Sequence, residues 1–449
     1  VGISRRAFQI ELFREHLEEA SFLYGQLKSL RRNPEISWRT AADFEARLEA
    51  YVDALVVGGD LALETCGVRS REGDAGELFA AVCVFCRQRR SELVSPALRG
   101  AGEKPARGAA IADALKYELP ANWSAYIERA LAAPDPRLTS ILAVVAGYRR
   151  LPVHGVLAGL LGQNPTGASA PLIEAIGRLR ADAARAQLEA CLKHPDDSIR
   201  SAAAGTLLRL GARETLQQCA VLSGTERWPR IALGLGAGQA ASRVLQSIAA
   251  SERADGDCLF GLGLLGDPAA MQTLYDTLKR PPLAESAALA LCWITGAELE
   301  EEVFLPEEVT EDELFEDELQ AWRERKEPPK RADGKPFGQT VKKLTPDKEL
   351  WKRWFAENAS RFDPKLRYRN GKPFTPDCLL ENLANERSDH RLRKYAAEEL
   401  AIRYGCDVPF EVDMPVTQQL RALQEISAWV EANAGRFQPG RWYFAGQPM

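Results

Sequence analysis

Apolar residues recur through the middle of this chain at intervals that a helix can use. Taking Arg149, Arg180, Gly211, Gly236, Gly266 and Gly296 as anchors gives spacings of 31, 31, 25, 30 and 30 residues. Eight positions after the first five stand Leu157, Leu188, Cys219, Val244 and Leu274, and four further on stand Leu161, Leu192, Ser223, Ile248 and Leu278. An apolar pair four apart is one stripe of an amphipathic helix, and Ser223 alone interrupts the column. The residues before each anchor supply a second helix, as in Ile199 to Leu210 and Leu283 to Ile294, so each unit reads as a helical hairpin. Asp267-Pro268 offers a cap and an N1 proline, and Pro195 to Ser198 separates two further helices. Small residues at 202–205 and 287–290 let neighbouring helices approach closely, which is how stacked hairpins bury a continuous core. The pattern predicts an all-α protein in which residues 105–297 form an alpha-solenoid, a right-handed stack of five or six antiparallel helix pairs.

Upstream, Phe13, Leu17, Ala20, Leu23, Leu27 and Leu30 predict one long amphipathic helix from Ser4 to Arg31, stopped before Pro34. A second helix is expected over Thr40 to Val56 and a third over Glu77 to Arg90, with a break at Gly58-Gly59. Residues 1–104 thus read as a helical cap on the open end of the stack.

The C-terminal region, 344–449, reads as mostly helical and contains an internal duplication at an offset of 75 residues. Nine positions coincide: Trp354/Trp429, Asn358/Asn433, Ala359/Ala434, Arg361/Arg436, Phe362/Phe437, Pro364/Pro439, Tyr368/Tyr443, Gly371/Gly446 and Pro373/Pro448. Trp and Asn lie four apart, on one helical face. The proline then stops each helix, and Asn370-Gly371 and Ala445-Gly446 mark tight turns. Each copy should be a helix ending in a short extended hook, with Trp and Phe packed beneath the Tyr. Two readings remain for the side chains around the hooks. The arginines satisfy nearby carbonyls or a carboxylate, or Arg367, Arg369, Arg441 and Trp442 face a partner, since Arg and Trp are favoured interface anchors.

Composition places the chain among ordinary globular proteins. It has 449 residues, 45% apolar and 27% charged, so about three packing units of roughly 150 residues are expected. No apolar run approaches the ~18 residues that a membrane helix needs, so the expectation is a cytoplasmic protein without membrane contact. The nine cysteines are scattered among apolar residues, as reduced core cysteines are, and Cys83-x-x-Cys86 lacks the second ligand pair of a structural zinc site.

Charge is distributed unevenly. Residues 298–318 carry twelve Asp or Glu and no Lys or Arg, whereas Leu319 to Lys372 hold 16 basic and 7 acidic residues. Residues 298–343 therefore read as an acidic-then-basic linker, or as a docking site for a charged partner. The four histidines lack a second ligand at metal spacing, and the glycines of 234–238 and 261–263 lack the Gly-Lys-Ser/Thr ending of a phosphate loop; helix-to-helix turns account for them. No catalytic, cofactor or metal residue is assigned. On the inner helices Arg178, Arg200, Arg209 and Arg230 could contact nucleic acid, but a pI near 5.7 argues against it. They read instead as a solvated ridge or as contacts to an acidic protein.

The repeat spacing and small-residue helices resemble the short HEAT repeats of phycobilin lyases over about 105–297. The strings 16–24, 47–59, 354–373 and 394–403 resemble an uncharacterised bacterial family of HEAT-repeat proteins whose genes often lie beside type VI secretion spike and PAAR-type tip genes. The acidic stretch 298–318 is longer than the family pattern. Repeat architecture points to a non-enzymatic protein-binding scaffold, and the resemblance implies that it is an adaptor or loading factor for a type VI effector, spike or tip protein. An immunity protein occluding a toxin domain is the alternative. From another class, a helical-repeat enzyme acting on nucleic acid is the outside reading.

Overall fold

Ser4 accepts a hydrogen bond from the Ala7 amide and starts α1 (Arg5–Leu30) in the computed structural model. The structure describes residues 4–101, 104–132, 135–307, 314–325, 330 and 334–449. Packed with α1 are α2 (Ala41–Val57), α3 (Gly59–Glu72) and α4 (Ala75–Arg87), and α5 (Ser91–Ala101) packs on α3 and α4. Sequence pattern missed α3 and α5: the first follows directly on Gly58-Gly59, and the second carries Pro96 inside it. A reciprocal capping box between Asp74 and Glu77 begins α4, whose residues from Gly76 to Cys86 are all buried. Cys83 and Cys86 are therefore core side chains, and burial pushes the Cys86 thiol up to about 12.

Seven helices then stack in order: α6 (Pro105–Glu118), α8 (Pro136–Arg149), α10 (Ala170–Arg178), α12 (Asp197–Arg209), α14 (Pro229–Gly236), α16 (Gly256–Leu265) and α18 (Pro281–Thr295). Each from α8 onward also packs on the helix before it in sequence: α7 (Ser124–Leu131), α9 (His154–Gln163), α11 (Arg185–Cys191), α13 (Glu214–Leu222), α15 (Gln239–Ala249) or α17 (Met271–Thr277). Leu157, Leu188, Cys219 and Leu274 are fully buried. Val244 is not: it is half-buried on the flank of α15, and Leu245 fills the interior place, so the apolar stripe there is Ala241, Leu245, Ile248 and Ala249. Ser223 is buried too, its hydroxyl donating to the Ala220 carbonyl at 2.9 Å.

Gly234, Gly261 and Gly263 lie inside α14 and α16, whereas α14 ends at Gly236 and Gly238 stands at the turn into α15, as expected. A Cβ on Gly234 would stand 2.8 Å from Gly261 Cα, and one on Gly263 would stand 2.9 Å from Ala290 Cα. Glycine here sets the spacing of α14, α16 and α18.

The charged stretch expected as a linker contains an antiparallel ribbon, β1 (Glu300–Pro306) with β2 (Gly338–Leu344), and the helix α19 (Glu316–Arg325) between them. Glu301 pairs across with Lys343 and Glu302 with Lys342, while Val303 faces Val341. Acid followed by base along the chain thus becomes acid opposite base across the ribbon, a stabilising arrangement. Within that stretch 308–313, 326–329 and 331–333 fall outside the described residues. At the ribbon's base the Thr345 hydroxyl donates to Glu301 at 2.7 Å, and Trp351 Nε1 donates to the Thr345 carbonyl at 2.8 Å. This fastens the ribbon to α20 (Lys348–Asn358).

Both hooks form. The first pairs β3 (Tyr368–Arg369) with β4 (Lys372–Pro373), before α21 (Pro376–Ala384) and α22 (His390–Glu399); a π-helical turn over Leu400–Tyr404 extends α22. After α23 (Val416–Ala432) the second hook pairs β5 (Tyr443–Phe444) with β6 (Gln447–Pro448). The turn residues have positive φ in both, 54° and 71° at Asn370-Gly371 and 47° and 76° at Ala445-Gly446. In one copy the Tyr368 hydroxyl accepts from the Asp363 amide at 2.7 Å; in the other the Tyr443 hydroxyl accepts from the Gln438 amide at 2.8 Å. Asn358 and Asn433 each donate to the carbonyl of the Trp four residues earlier at 2.8 Å. Phe362 and Phe437 lie 4.8 and 5.1 Å from their tyrosines. The duplication in the letters is a duplication in space.

Candidate protein-binding surfaces

The C-terminal ends of the seven stacked helices form a row, and the chain's own C-terminal region lies along it. The Asn370 and Gly371 amides donate to the Trp293 and Ile294 carbonyls at the end of α18. Arg367 donates to the Leu264 and Leu265 carbonyls of α16, and Arg403 to the Gly234 and Ala237 carbonyls at the end of α14. These carbonyls have no partner within their own helices, and the helix dipole favours positive charge there. Further along, the helices supply the cations. Arg209 of α12 meets Glu398, Arg178 of α10 and Arg150 after α8 meet Glu411, and Lys116 of α6 meets Asp413. The Val416 amide reaches Glu45 of α2 at 2.8 Å.

This placement removes the solvated ridge. Arg178 pairs with Glu411 at 2.7 Å, and Arg209 grips Glu398 through two hydrogen bonds of 2.7 and 2.9 Å. Burial raises the Glu398 carboxyl, but the Arg209 charge, helped by Arg178 and Lys394, outweighs it and holds the group at about 2. Arg200 is engaged by Asp197, Glu226 and the His194 carbonyl. Arg230 is buried, donates to the Ser223 and Arg253 carbonyls and pairs with Asp255 at 2.9 Å. Each guanidinium serves the fold.

The hook side chains divide as well. Arg367 and Arg369 are 0% exposed, Trp442 is buried at 9%, and Arg441 is the exposed member of the four. For Arg367 and Arg369 the geometry matches the reading in which the arginines meet carbonyls and a carboxylate. Arg367, Arg369 and Arg403 all pair with Glu399, at 3.1, 2.7 and 2.9 Å. The acidic partners Glu398, Glu399, Glu411 and Asp413 went unnoticed in the sequence. Their signal was the adjacent pair Glu398-Glu399 within an otherwise basic helix.

An open cleft of about 1350 Å³ lies between the ribbon, α18 and α21. Leu289, Trp293, Val303 and Val341 give it apolar surface, and acidic side chains outnumber basic ones around it seven to four. Two of its pairs are closed, Lys372 with Glu381 at 2.6 Å and Arg387 with Glu298 at 3.2 Å. Among the described residues no helix is long and apolar enough to cross a membrane, and no group of His, Cys, Asp and Glu is placed to hold a metal ion. Compared with protein-family models, with curated proteins and with solved structures, the chain gives no match in any of the three.

Proposed function

We propose that the protein is a non-enzymatic binding scaffold, an alpha-solenoid of short HEAT-like repeats that acts in the cytoplasm as adaptor or loading factor for a type VI secretion effector, spike or tip protein. The cleft beneath the ribbon carries this reading. Stacked helical hairpins bind through extended surfaces, and here the row of helix ends is occupied by residues 367–416 of the same chain. The cleft is large, open and bounded by a ribbon that stands out from the helical body. Its excess of acidic side chains calls for a basic face on the partner, and contact through exposed charges is weakened by salt. The class of partner comes from the family resemblance of the strings at 16–24, 47–59, 354–373 and 394–403. The test is capture by the tagged full-length protein from a strain expressing the neighbouring secretion genes. Recovery of spike, tip or effector supports the adaptor role. Recovery of a toxin domain, inhibited while bound, makes the protein an immunity factor, and nucleic-acid turnover by the purified chain overturns the scaffold reading.

A further inference from the structure

The cleft beneath the ribbon runs along the free edge of β2. Every residue of that strand from Gln339 to Leu344 lines it, whereas β1 contributes Glu300, Glu301 and Val303. Side chains of a strand alternate between its two faces, so an unbroken run of lining residues means that the strand's edge borders the space. Hydrogen bonds at the ribbon's ends show what that edge presents. The Thr345 amide donates to the Leu299 carbonyl at 2.8 Å and the Glu307 amide to the Phe337 carbonyl at 3.1 Å, one step beyond each end of the ribbon. Carried through the register, this alternation turns the amides and carbonyls of Gln339, Val341 and Lys343 towards β1. Those of Thr340, Lys342 and Leu344 point away from β1, and among the described residues they have no hydrogen-bond partner. The edge is held at both ends: Thr345 is bonded to Glu301 at the base, and at the tip Gln339 Nε2 donates to Glu35 at 3.2 Å.

We propose that an extended basic segment of the partner adds to β2 as a third strand, its main chain bonded to Thr340, Lys342 and Leu344; this rests on the reading that the partner enters this cleft. An open strand edge is a template for pairing, and here it faces a cleft of about 1350 Å³. Charge selects the segment. Of the acidic side chains around the cleft, Glu381 and Glu298 pair with Lys372 and Arg387, and Glu301 stands across from Lys343. Glu35, Glu285, Glu300 and Asp389 also line it and make no ion pair among the described residues. Lysine or arginine on the added strand meets that surplus. Apolar side chains between them meet Val341 and Leu289, which lies one turn from Glu285 on α18. Main-chain pairing supplies affinity, and the acids reject segments of the wrong sign.

The probe is a capped hexapeptide of alternating lysine and valine carrying fluorescein, titrated with the full-length protein and followed by anisotropy. Binding is expected, weakened by salt and absent for the alternating glutamate and valine peptide. Two N-methylated forms separate main-chain pairing from charge attraction, one methylated on its lysine amides and one on its valine amides. In a strand those two sets of amides point in opposite directions, so one form should lose binding and the other keep it. On the protein, Thr340→Pro removes one outward amide and leaves the bonds to β1 in place, as an edge strand allows. It should weaken binding about tenfold, while Thr340→Val, which keeps the amide, should not. Equal binding of the two methylated forms, or full affinity in Thr340→Pro, overturns strand addition, as does no binding at about 1 mM peptide. None of these results decides the cleft reading, which stands or falls on how the captured partner responds to Glu285→Lys/Glu298→Lys. A dimer in sedimentation that Thr340→Pro dissolves would give the edge to a second copy of the chain and overturn the proposal.

Discussion

Arg209 and Glu398, 189 positions apart, meet through two hydrogen bonds of 2.7 and 2.9 Å and join the end of α12 to α22. The pair is mostly buried, so removing one partner strands the other charge. Arg209→Ala should cost about 2–4 kcal/mol in urea unfolding, whereas Glu398→Gln, which keeps hydrogen-bonding capacity, should cost less.

The same pair makes a pH prediction. The Glu398 carboxyl is held at about 2 in the folded chain against an ordinary 4.5. A depressed carboxyl stabilises the fold fully above the ordinary value and loses that contribution as pH falls towards 2; the full amount is on the order of 3 kcal/mol. The stability difference between the protein and Glu398→Gln should therefore shrink between pH 5 and pH 2. A difference that stays constant with pH would detach Glu398 from the acid response.

Gly266 and Gly296 end α16 and α18 at φ 70° and 68°, beneath the first hook. A Cβ on Gly266 would stand 2.2 Å from the Tyr368 carbonyl oxygen, and one on Gly296 would stand 2.6 Å from the Asn370 carbonyl. Alanine at either place should cost about 1–3 kcal/mol or more from strain and displacement of the hook. Gly205, inside α12 with open space around it, is the contrast: alanine there should stabilise by about 0.5–1 kcal/mol. Thermal unfolding of the three variants checks the ordering.

The helical hairpins and the hooks were legible because each is local. An apolar stripe shows at three- and four-residue spacing, and the two hooks repeat their letters. The shift from Val244 to Leu245 was not legible, because Val244, Leu245 and Ile248 are all apolar and only packing chooses the inward face. Nor was the ribbon. Its strands are rich in Glu and Lys and mostly exposed, so alternation is confined to Val303, Leu305 and Val341. The candidate arginines were misread for a third reason: Glu398 lies 189 positions from Arg209, Glu411 lies 233 from Arg178 and Glu399 lies 32 and 30 from Arg367 and Arg369, and chain pattern does not carry such pairings. Leu245→Ala should cost about 2–5 kcal/mol and Val244→Ala about 1 or less, which tests the observed register.

The central claim is that the partner sits in the acidic cleft beneath the ribbon, since the helix ends are covered by the chain's own C-terminal region. The direct measurement is the affinity of the full-length protein for the captured secretion partner, comparing the unmodified chain with Glu285→Lys/Glu298→Lys in the cleft and Arg441→Glu on the exposed hook. The account predicts that the cleft variant weakens binding by at least roughly tenfold, with a reduced salt dependence, while Arg441→Glu leaves it within about twofold. Full affinity in the cleft variant together with lost affinity in Arg441→Glu would contradict it and move the interface to the hooks.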